Sequence, residues 1–125
     1  MLSFIRSLFS VSPRISVAEA RQALADGAAL LVDVREADEL RSTGRAKGAL
    51  HLPLSSLAHC ADPKSGRFAR QLKPAFEGKT RLILYCASGA RSGRAAALLR
   101  AKGYAQVDNL GSLRDWQAAG GPLQR

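Results

Sequence analysis

The sequence is poor in cysteine and in aromatic residues, and each shortage excludes a class of protein. Two cysteines among 125 residues are too few for the disulfide framework that stabilises many small secreted domains. Aromatic residues make up 6% of the chain, and they do not interleave with basic residues as in a groove for single-stranded nucleic acid. We therefore expect a protein of a reducing compartment with its own apolar core, and no nucleic-acid partner.

Acidic residues are also scarce, which leaves the chain strongly basic. Ten acidic residues stand against 19 lysines and arginines, so the net charge is +9. The basic residues are dispersed along the chain, and a positive potential of this kind attracts anions in general. Small anionic substrates are the expected partners. With 46% apolar residues, the chain matches one globular domain, which at this size buries roughly two-thirds of its unfolded surface.

No long apolar run is present, and the apolar segment from Met1 to Phe9 is too short to cross a membrane, which takes about 20 residues. Its apolar residues recur at helical spacing. We expect residues 1–14 to be an N-terminal extension with a short amphipathic helix that docks on a domain at residues 15–125. A weak membrane-surface contact and an organelle transit peptide are the alternatives. The protein is expected to be cytoplasmic, without stable membrane insertion.

Short apolar runs alternate with segments of helical composition. The runs, typical of buried parallel strands, lie at Leu30–Val34, Ala49–Leu52, Arg81–Tyr85 and Gln106–Leu110. Helices are predicted after a Ser16–Glu19 capping box and at 36–42, 54–61, 92–102 and 112–118. This alternation indicates an α/β fold with a central, mainly parallel sheet flanked by helices on both faces. Ligands of such sheets bind beyond the carboxyl ends of the strands, where Cys86 lies.

The segment from Cys86 to Arg91 has the composition of an anion-binding loop. The residues between them are small: Ala87, Ser88, Gly89 and Ala90. Their amides can point inward and form a nest for an anion, and the following helix adds the positive end of its dipole. Helix N-termini and nearby cations lower a thiol pKa from about 8.5 to roughly 3.5–7.5, and Arg91 supplies a permanent charge. Cys86 is therefore predicted to be a nucleophilic thiolate.

The same segment resembles the active-site signature of the rhodanese family, whose six-residue loop starts at the nucleophilic cysteine. Here the signature reads Tyr85-Cys86-Ala87-Ser88-Gly89-Ala90-Arg91-Ser92. Further blocks similar to the family's are Val32 to Glu36, Gly48 to Leu54, Asn109 to Gly111, Trp116 and Gly120 to Pro122. The chain departs from the family at Arg45-Ala46-Lys47, where His-Ile-Pro is usual, and at Ser112, where a second glycine is usual. Both departures lie outside the loop and concern the donor or partner surface.

The resemblance implies a rhodanese-like domain in which Cys86 is the catalytic residue and carries a transferable sulfur as a persulfide. The implied binding residues for the persulfide and its donor are Ala87, Ser88, Gly89, Ala90 and Arg91. The implied reaction moves a sulfane sulfur from thiosulfate or a related anionic donor to cyanide or a thiol, in two half-reactions. No metal and no organic cofactor is implied.

Three alternatives use the same residues differently. A protein-to-protein sulfur relay would have an identical site, with a protein thiol as acceptor. A regulatory rhodanese-like module commonly lacks the cysteine, which is present here. A cysteine phosphatase needs five residues between cysteine and arginine, whereas four separate Cys86 from Arg91 and Ser92 holds the phosphatase position.

The remaining chemistry-bearing residues are predicted to have structural roles. Ion pairs or loop anchoring are expected for Asp33, Arg35 and Glu39. Packing or surface positions are expected for Cys60, His59 and His51. Two adjacent ligands such as His59 and Cys60, without a further cluster, do not make a zinc site.

Overall fold

The chain alternates short strands with helices in the structure, a computed structural model that describes residues 14–125. Within this range the strands are β1 Ala29–Asp33, β2 Arg45–Ala46, β3 Leu50–His51, β4 Arg81–Cys86, β5 Val107–Ser112 and β6 Leu123–Gln124. The α-helices are α1 Val17–Ala25, α2 Ala37–Thr43, α3 Leu54–Cys60, α4 Lys73–Phe76, α5 Ala90–Ala101 and α6 Leu113–Ala118, and a 3-10 turn at Arg70–Leu72 precedes α4. The amphipathic helix predicted for the first nine residues lies outside the described range, and the domain division stays a prediction.

Four parallel strands form the central sheet in the order β3-β1-β4-β5. Strands β1 and β4 pair in continuous register, which sets Asp33 beside Tyr85. The register between β4 and β5 shifts after Leu84, so that Ser112 lies opposite Cys86. The carboxyl ends of β1, β4 and β5 therefore meet at one edge of the sheet, with Cys86 among them. The predicted parallel sheet is confirmed.

Helices cover both faces of the sheet, as predicted, because successive side chains of a strand point in opposite directions. Along β4, Leu82 and Leu84 pack into a core shared with α3, α4 and α5. Ile83 and Tyr85 pack on the opposite face, in a core shared with α1 and with Trp116 of α6. All these side chains are buried. A strand buried on both faces explains the nearly continuous apolar run in its sequence.

Most predicted elements are present within one to three residues of their expected ends. Ser16 caps α1 by accepting a hydrogen bond from the Glu19 amide at 3.1 Å. The sequence did not predict the antiparallel ribbon of β2 and β6, whose strands have two residues each. Leu72 is buried, whereas Phe76 at the end of α4 is 38% exposed. Between residues 14 and 125, no helix combines the length and apolar character needed to cross a membrane.

Candidate active site

Cys86 ends β4 and is covered by the loop that follows it. The residue has 0% exposed surface, whereas Ala87 and Ser88 are exposed at the rim. The chain turns back at Gly89, whose φ of 99° lies in the left-handed region that favours glycine. Helix α5 begins at the next residue, Ala90. The turn thus brings the first turn of α5 against the sulfur atom.

Three donors point at the Cys86 sulfur. The Gly89 amide lies 3.0 Å from Sγ, and the Ser92 amide lies 3.3 Å from it. The Ser92 hydroxyl is 3.4 Å away. Donors on one side of a sulfur atom stabilise negative charge on it more than they stabilise the neutral thiol. The site therefore has the electrostatics of an anion-binding nest built around a thiolate.

Burial and hydrogen bonding act on the pKa of Cys86 in opposite directions. Burial is the larger single influence and raises the pKa, because it removes water from around the charged form. The Ser92 hydroxyl lowers the pKa, and so do the amides of Ser92, Ser88 and Gly89. The combined effect of these hydrogen bonds exceeds that of burial, so the pKa of Cys86 lies below the ordinary thiol value. The loop therefore favours the thiolate, which is the nucleophilic form.

Asn109 of β5 holds this arrangement together, a role that the sequence did not reveal. Its Nδ2 donates to the Gly89 carbonyl at 3.1 Å, and its Oδ1 accepts from the Gly111 amide at 2.9 Å. Oδ1 also accepts from the Ser92 hydroxyl at 2.7 Å. The single hydroxyl proton of Ser92 is thus shared between Asn109 and Cys86, with the shorter distance to Asn109. Asn109 is 3% exposed, and it ties the loop, α5 and β5 into one unit.

Arg91, predicted to assist an anionic donor, is bound by a carboxylate. Its Nη1 lies 2.6 Å from Glu39 Oε1 and its Nη2 lies 2.8 Å from Glu39 Oε2. The bidentate contact with Arg91 lowers the pKa of Glu39 to about 2, against the smaller effect of burial, which raises it. The pair joins α2 to the first turn of α5. The positive charge of Arg91 still interacts with Cys86 through space, but both terminal nitrogens of the guanidinium are occupied.

A buried ion pair supports α2 at the end of β1. Arg35 Nη2 lies 2.7 Å from Asp33 Oδ2, and both side chains are almost fully buried. The same guanidinium donates to the Thr43 hydroxyl at 2.8 Å and to the Gly44 carbonyl at 2.7 Å, at the carboxyl end of α2. Ion pairing and loop anchoring are thus confirmed for Asp33, Arg35 and Glu39. They act on the site indirectly, since α2 carries Glu39 to Arg91.

The other candidate residues lie apart from the loop. His51 Nε2 donates to the Arg35 carbonyl at 2.7 Å, and His59 is exposed. Cys60 is a free, half-buried cysteine whose sulfur lies 3.9 Å from the Ser56 hydroxyl. Packing and surface roles are confirmed for these residues. Arg45 pairs with β6, so this departure from the family pattern lies in the ribbon.

Fold and loop together define a class of protein: an α/β domain that holds a thiolate-favouring cysteine at the carboxyl edge of a parallel sheet. Comparison with known proteins then gives the family. The model of the rhodanese-like domain family matches residues 16–119. A human thiosulfate:glutathione sulfurtransferase is 34% identical over 109 residues, which is 84% of this chain and 93% of the relative. The chain belongs to the rhodanese-like domain family, a family with sulfurtransferase members.

Two solved structures agree with this assignment at the level of the fold. A human single-domain sulfurtransferase superposes with a TM-score of 0.66 at 31% identity, covering 86% of this chain and 96% of that one. A protein of unknown function from Rhodopseudomonas palustris, described as a possible tyrosine phosphatase, has a TM-score of 0.77 at 28% identity. The match covers 90% of this chain and 85% of that protein.

Proposed function

We propose that this protein is a rhodanese-type sulfurtransferase that carries a sulfane sulfur on Cys86 as a persulfide. One observation carries the proposal: the Cys86 sulfur accepts hydrogen bonds from two backbone amides and one hydroxyl at 3.0–3.4 Å. A sulfur so held favours the thiolate, and a thiolate attacks electrophilic sulfur. In this proposal the loop amides from Ala87 to Arg91 form the cradle for a second sulfur atom.

The first half-reaction loads the sulfur. Cys86 attacks the outer sulfur of thiosulfate, a new S–S bond forms, and the S–S bond of the donor breaks. The electron pair of the broken bond leaves with sulfite, so Cys86–S⁻ and S₂O₃²⁻ give Cys86–S–S⁻ and SO₃²⁻. Because Cys86 is fully covered, the exposed residues Ala87 and Ser88 must give way slightly for the donor to reach it.

The second half-reaction releases the sulfur. An acceptor thiolate attacks the outer sulfur of the persulfide, the new S–S bond forms on the acceptor, and Cys86 leaves as a thiolate. The released Cys86 thiolate is stabilised by the same donors that favoured it before the reaction. Transfer through a covalent enzyme intermediate gives ping-pong kinetics. A low leaving-group pKa speeds this step, so one feature of the loop serves both half-reactions.

Thiosulfate and a small thiol are the proposed donor and acceptor. The human relative is a thiosulfate:glutathione sulfurtransferase, and the net charge of +9 attracts anionic substrates of both kinds. A protein-to-protein relay would use the same two steps with a protein thiol as acceptor. Comparing the rates with glutathione, cyanide and protein thiols separates the two.

A phosphatase reaction has less support. The residue in the position of the phosphatase arginine is Ser92, whose hydroxyl and amide both donate to Cys86 Sγ. Arg91 is one residue closer to the cysteine, and its guanidinium binds Glu39. A four-oxygen phosphate therefore lacks both the larger loop and the bidentate arginine that it needs.

The proposal is tested by steady-state kinetics with thiosulfate as donor and glutathione or cyanide as acceptor. Cys86→Ala is expected to abolish turnover while circular dichroism and melting temperature remain near those of the wild type. The matched control is Cys60→Ser, which removes the other thiol and is expected to retain activity. Turnover by Cys86→Ala would contradict the assignment, and so would a loss of turnover in Cys60→Ser but not in Cys86→Ala.

A further inference from the structure

The proposed reaction needs a cation for the donor's sulfonate group, and Arg91 is poorly placed to be that cation. A sulfonate offers three oxygens, which an arginine recognises best through its two terminal nitrogens. Both of these nitrogens in Arg91 already bind the two oxygens of Glu39, at 2.6 and 2.8 Å. A donor would have to displace a bidentate carboxylate to use them.

A second arginine, Arg14, lies close to Gly89 of the same loop. Arg14 forms an isolated parallel bridge with Asn109, and the next amide, that of Ile15, donates to the Asn109 carbonyl at 3.2 Å. Ile15 is buried. The backbone of Arg14 is therefore fixed along the outer edge of β5, beside the residue that organises the loop.

The Arg14 side chain lies close to Gly89 of the loop and to Gly111 of β5. Its Nη1 lies 3.2 Å from the position that a Cβ of Gly89 would occupy. Its Cζ lies 2.9 Å from the corresponding position on Gly111. The Gly89 amide donates to the Cys86 sulfur, so the guanidinium lies beside the residue whose amide holds the sulfur. Gly111, with a φ of 108°, leaves the space that the guanidinium fills.

Arg14 differs from Arg91 in how its charge is held. Its carboxylate contact is a single one, with Nη2 at 3.7 Å from Asp115 Oδ2, and the two side chains are 58% and 55% exposed. Such an exposed, long ion pair contributes little binding energy. The guanidinium charge is therefore only weakly engaged, and the dianion thiosulfate can compete with Asp115 for it.

We infer that Arg14 is a donor-binding residue, which holds the sulfonate oxygens of thiosulfate while the outer sulfur of the donor meets Cys86. This assignment rests on the proposed sulfurtransferase function and adds a specificity determinant to it. Arg91 then has a positioning role through Glu39. A donor without a sulfonate group gains nothing from Arg14.

The experiment compares Arg14→Ala with the wild type in steady-state kinetics with varied thiosulfate. We expect KM for thiosulfate to rise about tenfold with little change in kcat, because the lost contact belongs to donor binding. Arg14→Lys is expected to recover part of the loss, since it keeps the charge but not the planar fork. The matched control is Arg114→Ala, which removes one exposed charge of α6 and is expected to leave KM unchanged.

A second sulfur donor distinguishes a role of Arg14 in donor binding from a role in supporting the loop. With 2-hydroxyethyl hydropersulfide, which carries no sulfonate, Arg14→Ala and wild type are expected to load Cys86 at equal rates. Equal losses with both donors, or an unchanged KM for thiosulfate, would overturn the assignment of Arg14. If the wild type forms no Cys86 persulfide with either donor, the proposed function itself fails. Should Arg14→Ala fold poorly, Arg14→Gln provides the same comparison with a polar side chain of similar reach.

Discussion

At the scale of single residues, Ser92 and Asn109 decide how the Cys86 sulfur is held. Ser92 contributes two of the three donors to Sγ, its amide and its hydroxyl. Asn109 Oδ1 accepts hydrogen bonds from the Ser92 hydroxyl at 2.7 Å and from the Gly111 amide at 2.9 Å. The hydroxyl must turn from Asn109 to donate fully to a thiolate. The pKa of Cys86 therefore depends on a shared proton as well as on fixed amides.

Ser92→Ala is predicted to raise the pKa of Cys86, since one shared hydrogen bond to the charged form is removed while the amide remains. Thiolate is the reactive form, so the acid limb of the pH–rate profile for sulfur loading moves to higher pH. The rate at neutral pH falls by up to about tenfold and recovers in alkali. The measurement is single-turnover loading by thiosulfate as a function of pH.

Ser88→Ala is the matched control for this profile. The Ser88 hydroxyl accepts from the Ala90 amide at 3.5 Å and lies on the exposed rim, so its loss is expected to leave the acid limb in place. If the acid limb of the profile does not move in Ser92→Ala, the Ser92 hydroxyl donates its proton to Asn109 in both ionisation states of Cys86.

The sequence could predict the cysteine and its loop but not the groups that hold them. Cys86 and the small residues after it are adjacent in the chain, so their joint role follows from local composition. Asn109 and Glu39 reach the loop only through tertiary contacts, 20 and 52 residues away in sequence. The sequence shows the charge of Arg91 but does not identify its partner, Glu39. The persulfide-binding role of Ala87 to Arg91 stays a prediction.

At the scale of secondary-structure elements, α2 and α5 are joined at the site by one ion pair. The Arg35 network with Thr43 and Gly44 fixes the carboxyl end of α2, and Glu39 in its first turn binds Arg91. The Glu39 carboxylate also accepts from the Glu36 amide at 3.0 Å. The Glu39–Arg91 pair thus joins α2, the helix after β1, to the first turn of α5, the helix after β4.

Glu39→Gln is predicted to lower the free energy of unfolding at pH 7 by about 1–2 kcal/mol, after allowance for the partial exposure of the pair. The pKa of Glu39 is lowered in the folded protein to about 2, first by the Arg91 contact. The pair's contribution is therefore complete above the ordinary carboxyl pKa near 4.5 and is lost as the pH falls toward 2. Denaturant unfolding across this range measures it.

Asp38→Asn is the matched control, because Asp38 lies in the same first turn of α2 and is exposed. Its effect on stability is expected to stay within about 0.5 kcal/mol. A difference between Glu39→Gln and wild type that is the same at pH 7 and at the acid end of the range would show that the ion pair is not its source.

Elements with a strong local pattern were predictable, and short ones were not. Strand β4 has a continuous apolar run and α5 a clear helical composition, and both are present. Ribbon β2–β6 consists of two-residue strands that carry no periodicity. Its pairing depends on the carboxyl terminus returning to Arg45, which no local pattern encodes.

At the scale of the whole molecule, a net charge of +9 accompanies a proposed reaction that uses anions in both half-reactions. Long-range attraction between a cationic protein and an anionic substrate raises the rate of encounter, and salt screens it. This attraction arises from the summed charge of the protein and not from one residue. It is therefore separable from the local roles of Arg14 and Arg91.

The value of kcat/KM for thiosulfate is predicted to fall several-fold as NaCl rises from about 20 mM to about 500 mM, over which the screening length shortens to a few ångströms. The internal control is alkylation of Cys86 by the neutral reagent iodoacetamide in the Cys60→Ser variant. That step is expected to change little with salt. A salt-independent kcat/KM for thiosulfate would show that encounter is not steered by charge.

Intact mass spectrometry after incubation with thiosulfate tests the central claim most directly. A gain of one sulfur atom, about 32 Da, is predicted for the wild type and for Cys60→Ser, and peptide mapping is predicted to place it on Cys86. The added mass is expected to disappear when glutathione is supplied. No gain in mass, or a gain that persists in Cys86→Ala, would contradict sulfur carriage by this cysteine.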